Sequence, residues 1–355
     1  MGGSEPRGGC RTIAHCLTVS ENLYDGSTKG IAIHTMNLSK RLAPICAILL
    51  SCPLLTTSRL LAQAPAQRPH ILGISHAGYF VSDLPKALEF WQGLLGYAEP
   101  YDIKKPDGTT RIAFIKINDH QHIELFNEKP TNNTGYLSHI AFIVDNAEQM
   151  RRYLASRGIS VGNKVGKGKT GDLNFEIKDP DGNLVEFVEP QPDGLEAKNA
   201  GKFLPATRIS DSIYHLGFLV GNSQKSIAFY GDLLGFREFW RGSSNGKELS
   251  WIDMRVPDGK DYVEFMLYRD PIAPPDQRGG KNHTSLTVSD VAKSISILET
   301  RPAFKTYGKK LEAHVGVNGQ RQVNLFDPDG TRVELMEPNT ASGKPVPPST
   351  APPPQ

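Results

Sequence analysis

The sequence predicts an α+β fold built from four repeated β-α-β-β-β modules. Three observations predict it. A His…Glu pair recurs four times, as His76 with Glu124, His139 with Glu186, His215 with Glu264 and His283 with Glu334, always 47 to 51 residues apart. Each His opens an alternating apolar segment of strand type, and each Glu sits inside another. The run Asp-Pro-Asp-Gly occurs at 179–182 and at 327–330, each time just ahead of the Glu that closes a repeat.

The elements follow in order. Residues 74–81 (Ile-Ser-His-Ala-Gly-Tyr-Phe-Val) form the first strand candidate. Ser82 and Asp83 can cap a helix that carries Pro85 in its first turn. Leu84, Ala87, Leu88, Trp91, Leu94 and Leu95 then recur at helical spacing, and Gly96 ends the helix. Strand candidates follow at 111–117 and 122–126. The third module repeats this pattern, from Tyr214-His215-Leu216-Gly217-Phe218 to Leu233-Leu234-Gly235-Phe236. The second and fourth modules are shorter and open at 138–144 and 283–288. Trp91 and Tyr230 lie on apolar helix faces and are assigned to the core. The two Asp-Pro-Asp-Gly runs are read as tight turns rather than acidic metal sites, because Pro presets one turn dihedral and Gly supplies a positive φ.

The modules group into a first domain over 70–190 (modules 70–127 and 137–190) and a second over 209–338 (modules 209–269 and 281–338). A Pro- and Gly-bearing linker at 191–208 joins them. Residues 339–355, rich in Pro, Ser and Thr, are expected to be a disordered tail. The 355 residues are 38% hydrophobic and 22% charged, with a net charge of +2 and no basic stripe, which gives no argument for nucleic acid. The four cysteines (Cys10, Cys16, Cys46 and Cys52) all precede the repeats. That excludes a thiol nucleophile, a Cys-based zinc site and disulfides from the repeated body.

Residues 36–66 read as a signal peptide. Lys40-Arg41 is a positive n-region, 42–55 a short apolar stretch, and Ala64-Pro65-Ala66 a small-residue cleavage pattern. Leu49-Leu50-Ser51-Cys52 also has the form of a lipoprotein signal, which makes a lipid on Cys52 the one route to a membrane. Residues 1–35 are an upstream extension without periodicity, expected to be disordered. The expectation is export to a periplasmic or extracellular space. The alternative is a disordered N-terminal extension of a cytosolic protein.

Side chains alternate across a strand, so a His near the start of one strand and a Glu on another can face the same side of a sheet. If the sheets curl and pair, two His and two Glu converge in one cleft. Imidazole together with carboxylate suits a divalent Fe, Mn, Co, Ni or Zn ion. For any one pair a core-satisfied His and a solvated Glu is the better explanation, but four recurrences at equivalent positions favour metal.

These motifs resemble the vicinal oxygen chelate superfamily, whose members include glyoxalase I, extradiol ring-cleaving dioxygenases, fosfomycin-resistance enzymes and bleomycin-binding proteins. The resemblance rests on His76…Phe90-Trp91…Leu95-Gly96-Tyr97, on His215…Phe229-Tyr230…Leu234-Gly235-Phe236 and on the two turn-plus-Glu endings, and it covers residues 70–338. It implies that paired modules form two U-shaped barrels around metal. It implies His76, Glu124, His139 and Glu186 as one ligand set and His215, Glu264, His283 and Glu334 as the other. Pairing of module one with four and two with three would regroup them. The resemblance further implies a small substrate with vicinal oxygens. One implied activity is a glyoxalase-like lyase or isomerase, working through a metal-stabilised enediolate. Glu124 or Glu186, and Glu264 or Glu334, would be the general base. The alternative is an Fe(II) extradiol dioxygenase using His215, His283 and Glu334, with His314 near the place of an acid–base His. Against that alternative, Asn324 stands where a Tyr is usual, and Glu264 fills a normally empty ligand position. A third reading is a non-catalytic binding module. Either a monomer or a homodimer is compatible with four modules in one chain.

Overall fold

The structure is a computed structural model that describes residues 67–130, 136–267 and 281–353. The expected extension, signal peptide and Cys52 lie outside the described residues. Among those described, no helix is long and apolar enough to cross a membrane.

The alternating apolar segment that opens the first module is strand β1 (Ile71–Val81), three residues longer at its start than the periodicity predicts. Asp83 caps the helix that follows by accepting from the Lys86 amide, and Pro85 sits in the first turn. Helix α1 (Leu84–Leu88) widens into a π-helical stretch over Glu89–Leu94, which buries Phe90, Trp91 and Leu94. Three antiparallel strands complete the module: β2 (Ala98–Lys104), β3 (Thr110–Lys116) and β4 (His122–Asn127). The helical crossover brings β4 back parallel to β1, with His76 opposite His122.

The second module contributes β5 (Leu137–Val144), α2 (Ala147–Ser156), the two-residue β6 (Gly166–Lys167), β7 (Leu173–Lys178) and β8 (Leu184–Glu189). Strand β5 pairs antiparallel with β1. The result is one curled eight-stranded sheet in the order β2-β3-β4-β1-β5-β8-β7-β6.

The second half repeats the arrangement. After a short linker helix, α3 (Leu195–Lys198), come β9 (Ile213–Val220) and α4 (Ser223–Ser226), which continues as a π-helical stretch over Ile227–Leu233. Strands β10 (Arg237–Gly242), β11 (Trp251–Arg255), β12 (Tyr262–Leu267) and β13 (His283–Thr287) follow. Helices α5 (Val291–Glu299) and α6 (Phe304–Tyr307) precede β14 (His314–Val315), β15 (Gln320–Phe326) and β16 (Arg332–Thr340). The sheet order is β10-β11-β12-β9-β13-β16-β15-β14. Modules therefore pair one with two and three with four, which decides between the pairings left open by the sequence.

The two curled sheets share one apolar core, with Phe142 packed edge-on against Phe236 at 5.2 Å. Trp91 and Tyr230 are fully buried, as the apolar helix faces predict. Both Asp-Pro-Asp-Gly runs are tight turns, with Gly182 at φ 85° and Gly330 at φ 84°. Two segments outside the sheets carry specific bonds. The linker is strapped to the first half: the Lys116 ammonium donates to the Asn199 carbonyl at 2.6 Å, and the Ile209 amide to the Leu95 carbonyl at 3.0 Å. The C-terminal segment is placed against β10, where the Ser349 hydroxyl donates to the Arg241 carbonyl and the Arg241 guanidinium to the Pro352 carbonyl. Backbone carbonyls fix both segments, and composition does not register such bonds.

Candidate metal centres

In the first half the sheet brings together side chains from four strands: His76 on β1, Glu124 on β4, His139 on β5 and Glu186 on β8. The two imidazole Nε2 atoms lie 2.9 Å apart. Glu186 Oε2 is 3.1 Å from that of His76 and 3.3 Å from that of His139. Glu124 stands slightly farther off, at 3.9 Å and 3.6 Å. All four residues are buried. The far ring nitrogens are held by the residue preceding each His: Ser75 Oγ at 2.9 Å from His76 Nδ1 and Ser138 Oγ at 3.2 Å from His139 Nδ1. A hydroxyl accepting at Nδ1 leaves the Nε2 lone pair pointing into the cluster, the tautomer that metal ligation needs.

Glycine makes this convergence possible. Gly78 lies directly opposite His139 on the neighbouring strand. A Cβ at Gly78 would sit 2.4 Å from His139 Cε1. In the second half a Cβ at Gly217 would meet His283 Cε1 at 1.9 Å. The His-x-Gly spacing was visible in both strands, yet only the register shows that the glycine makes room for the partner module's imidazole.

Two further groups border this cluster, His122 and Glu196, and neither belongs to the repeated His…Glu pattern. His122 stacks on His76, with ring centroids 4.4 Å apart and planes 20° from parallel. Its nitrogens lie 3.7 Å from Glu124 Oε1 and 3.6 Å from Glu196 Oε1, beyond hydrogen-bond length but close for ion pairing. Burial lowers the His122 pKa, but the two carboxylates outweigh it and push the group up to about 9. Burial raises Glu124, yet His76, His122 and His139 together bring it below the ordinary carboxylate range. Glu186 is likewise held down, by His139 and His76 against its own desolvation. His120 sits in the exposed turn before β4, away from the cluster.

In the second half His215 on β9 and His283 on β13 face each other, Nε2 to Nε2, at 2.9 Å. Glu264 on β12 approaches His283 Nε2 at 3.3 Å and His215 Nε2 at 4.0 Å. Glu334 on β16 reaches His215 Nε2 at 3.5 Å, and its Oε2 is buried without a hydrogen bond. The tight cluster here is thus His215, Glu264 and His283, with Glu334 beside His215. His283 Nδ1 is held by the Lys281 carbonyl at 2.8 Å. Arg332, on the same strand as Glu334, places its guanidinium 3.0 Å from His283 Nε2. Burial first, and this cation second, push the His283 pKa down to about 3. A cavity of about 310 Å³ opens onto Glu264, Arg332 and Glu334, with Trp240, Trp251 and His314 among its walls. His314 hydrogen-bonds Gln322 at 2.9 Å across the β14–β15 pair.

Both donor sets fit a divalent cation. In the first half, facing imidazole nitrogens and buried carboxylates this close favour a positive partner; in the second, the Arg332 guanidinium already stands at the His283 ring and an ion would sit beside it. The expected ligands therefore converge within each half as two His and two Glu, with Glu334 the least tightly gathered.

The match to known proteins agrees with this geometry. Residues 73–187 and 212–335 each match the Glyoxalase/Bleomycin resistance protein/Dioxygenase superfamily. The chain belongs to that superfamily. This glyoxalase/dioxygenase-superfamily chain is 23% identical to Glyoxalase I of Saccharomyces cerevisiae over 251 residues, covering 64% of the chain and 69% of the relative. It is 30% identical to lactoylglutathione lyase of Haemophilus influenzae over 124 residues, 33% of the chain and 91% of the relative. In three dimensions it is similar to a variant of homoprotocatechuate 2,3-dioxygenase from B. fuscum, with a TM-score of 0.59 and 18% identity, covering 80% of this chain and 76% of that one. It is also similar to the 2,3-dioxygenase LapB from Pseudomonas sp. KL28, with a TM-score of 0.58 and 16% identity, covering 79% and 98%. These structural likenesses bear on the fold.

Proposed function

We propose that this chain is a metal-dependent enzyme acting on a small substrate with vicinal oxygens, as a glyoxalase-like lyase or isomerase. The observation that carries the reading is the convergence, in each half, of two facing imidazoles with two glutamates: His76, Glu124, His139 and Glu186, then His215, Glu264, His283 and Glu334. A divalent ion held there would polarise two adjacent oxygens of the substrate. The residues divide the remaining work. The imidazoles and Glu186 are the closest group in the first half and would hold the ion. Glu124, farther from both imidazoles, is the carboxylate free to take a proton from one carbon and return it to the next. In the second half, Glu264 and Glu334 both face the cavity, and either can do this. Relatives named Glyoxalase I and lactoylglutathione lyase support the same reading.

A second reading, the Fe(II) ring-cleaving dioxygenase, has one observation in its favour. His314 lines the same cavity as the second half's glutamates and could move a proton there. The nearness of Glu264 to both imidazoles favours the first reading.

The test is metal content by elemental analysis of the full chain, purified without chelator or affinity-tag metal. About two equivalents per chain are expected from two donor sets of this type. His139→Ala and His283→Ala should each remove about half. Isomerisation of a hemithioacetal formed from a 2-oxo aldehyde and a thiol, without oxygen uptake, supports the lyase or isomerase. Oxygen uptake with a catechol supports the dioxygenase, and tight binding without turnover supports a binding module. Undiminished metal in both variants sinks the ligand assignment.

A further inference from the structure

The two clusters are built alike but are not furnished alike. Strand register makes the comparison exact in position. On β4, His122 stands opposite His76; at the same place on β12, Tyr262 stands opposite His215. On β3, Phe114 stands opposite Glu124; on β11, Asp253 stands opposite Glu264. Residues directly opposite in an antiparallel pair share a face, so Asp253 lies on the cluster side of the second sheet. Its residue exposure is 4%, its Oδ1 has no hydrogen-bond partner, and among the described residues it has no ion pair. The charges that act on it most are Glu264 and Glu334, then the Arg255 cation and Glu238. The Arg255 guanidinium is engaged elsewhere, over the Phe239 ring at 4.1 Å and with the Lys260 carbonyl. A buried carboxyl facing two carboxylates either keeps a proton or takes a cation, and with its Oδ1 unbonded it is placed to exchange the one for the other.

We infer that Asp253 belongs to the metal environment of the second half, and that the two halves therefore favour different divalent ions. The first half offers three imidazoles (His76, His122, His139) and two glutamates. The second offers two imidazoles and three carboxylates (Asp253, Glu264, Glu334), with the Arg332 cation offset by the extra acid. Imidazole-rich sets suit Zn²⁺ and Ni²⁺, whereas carboxylate-rich sets suit Mn²⁺. Zn²⁺ binds more tightly than Mn²⁺ to any such site, so the preference lies in the ratio of the two affinities, which is smaller in the second half. This inference rests on the metal-binding reading above.

The experiment uses the full chain, stripped with chelator, in variants that isolate one cluster: His139→Ala leaves the second, His283→Ala the first. Mn²⁺ binding is titrated by electron paramagnetic resonance, and Zn²⁺ by competition. The second cluster should bind Mn²⁺ about tenfold more tightly than the first, and adding Asp253→Asn should abolish that advantage while Zn²⁺ stays bound. Retained Zn²⁺ shows that the near-isosteric variant is folded. Equal Mn²⁺ affinity in the two clusters, or no effect of Asp253→Asn, overturns the inference and leaves the metal-binding reading intact. Failure of every form to take up either ion overturns both.

Discussion

His122 carries the second charge pattern of the first cluster, and its behaviour can be read from pH. Its pKa is pushed up to about 9 by Glu124 and Glu196 despite burial, and His139 is raised for the same kind of reason. A group bound more tightly by protons in the folded state stabilises it fully below the unfolded value near 6.5, and that stability is lost as pH rises through the folded value. Metal-free protein should therefore lose stability between about pH 6.5 and 9. Glu196→Gln should flatten that loss in denaturant titrations, and an unchanged slope would remove His122 as its source. His76, His215 and His283 are shifted downward, chiefly by burial, so they act on the acid side, where stability falls below about pH 6.5. At this scale the eight repeated His and Glu positions were legible because the four pairs recur at nearly the same spacing. Glu196 was not, because it lies in a linker whose Pro and Gly content hides a four-residue helix. Asp253 was not, because its counterpart in the first half is a phenylalanine, and repetition exposes only what is repeated.

The strands set the distance between ligands, and two glycines set the distance between strands' side chains. Because Gly217 lies directly opposite His283, an added methyl would overlap the imidazole, and the ring would have to leave the cluster. Gly217→Ala should therefore cost the second half its metal while the first keeps its own, a loss of about one equivalent per chain by elemental analysis. Gly78→Ala should do the same to the first half, where the overlap is with His139. Full retention of two equivalents in both variants would show that the rings tolerate displacement. The strand and helix pattern was readable at this scale, down to the Asp83 cap and the turn glycines, since apolar periodicity and turn chemistry are local. The π-helical widening over Glu89–Leu94 and Ile227–Leu233, the two-residue edge strands and the placing of the C-terminal segment were not. The π-helical bonds, such as Leu95 amide to Phe90 carbonyl, share the apolar spacing of an α-helix, two residues are too few to show alternation, and the C-terminal segment is placed by side-chain bonds with the distant Arg241.

Across the whole molecule, each turn that closes one half caps the start of the other. Asp329 accepts from the Ser82 amide at 2.9 Å and from the Ser82 hydroxyl, just ahead of helix α1. Reciprocally, Asp181 accepts from the Gly221 amide at 2.9 Å, just ahead of α4, and from the Ser226 hydroxyl at 3.1 Å, at its end. The neighbouring Asp179 accepts from the buried Tyr230 hydroxyl at 3.1 Å. Tyr79 and Thr284 join the halves through a buried hydroxyl bond of 2.8 Å. The sequence showed these turns as turns; that they clasp the opposite half follows from a near-twofold arrangement that no local pattern encodes. With a shared core and reciprocal clasps, the halves should unfold together. Calorimetric and van't Hoff enthalpies should agree for the metal-free chain. Asp329→Ala removes bonds to a carboxylate at a partly exposed site, so it should cost about 1 kcal/mol and lower the midpoint by about 2–4 °C. Asp181→Ala should cost a similar amount, and the double variant their sum, because the two clasps share no partner. Two separated transitions in the parent chain would show that each sheet stands alone, and the clasps would then be contacts without consequence for folding.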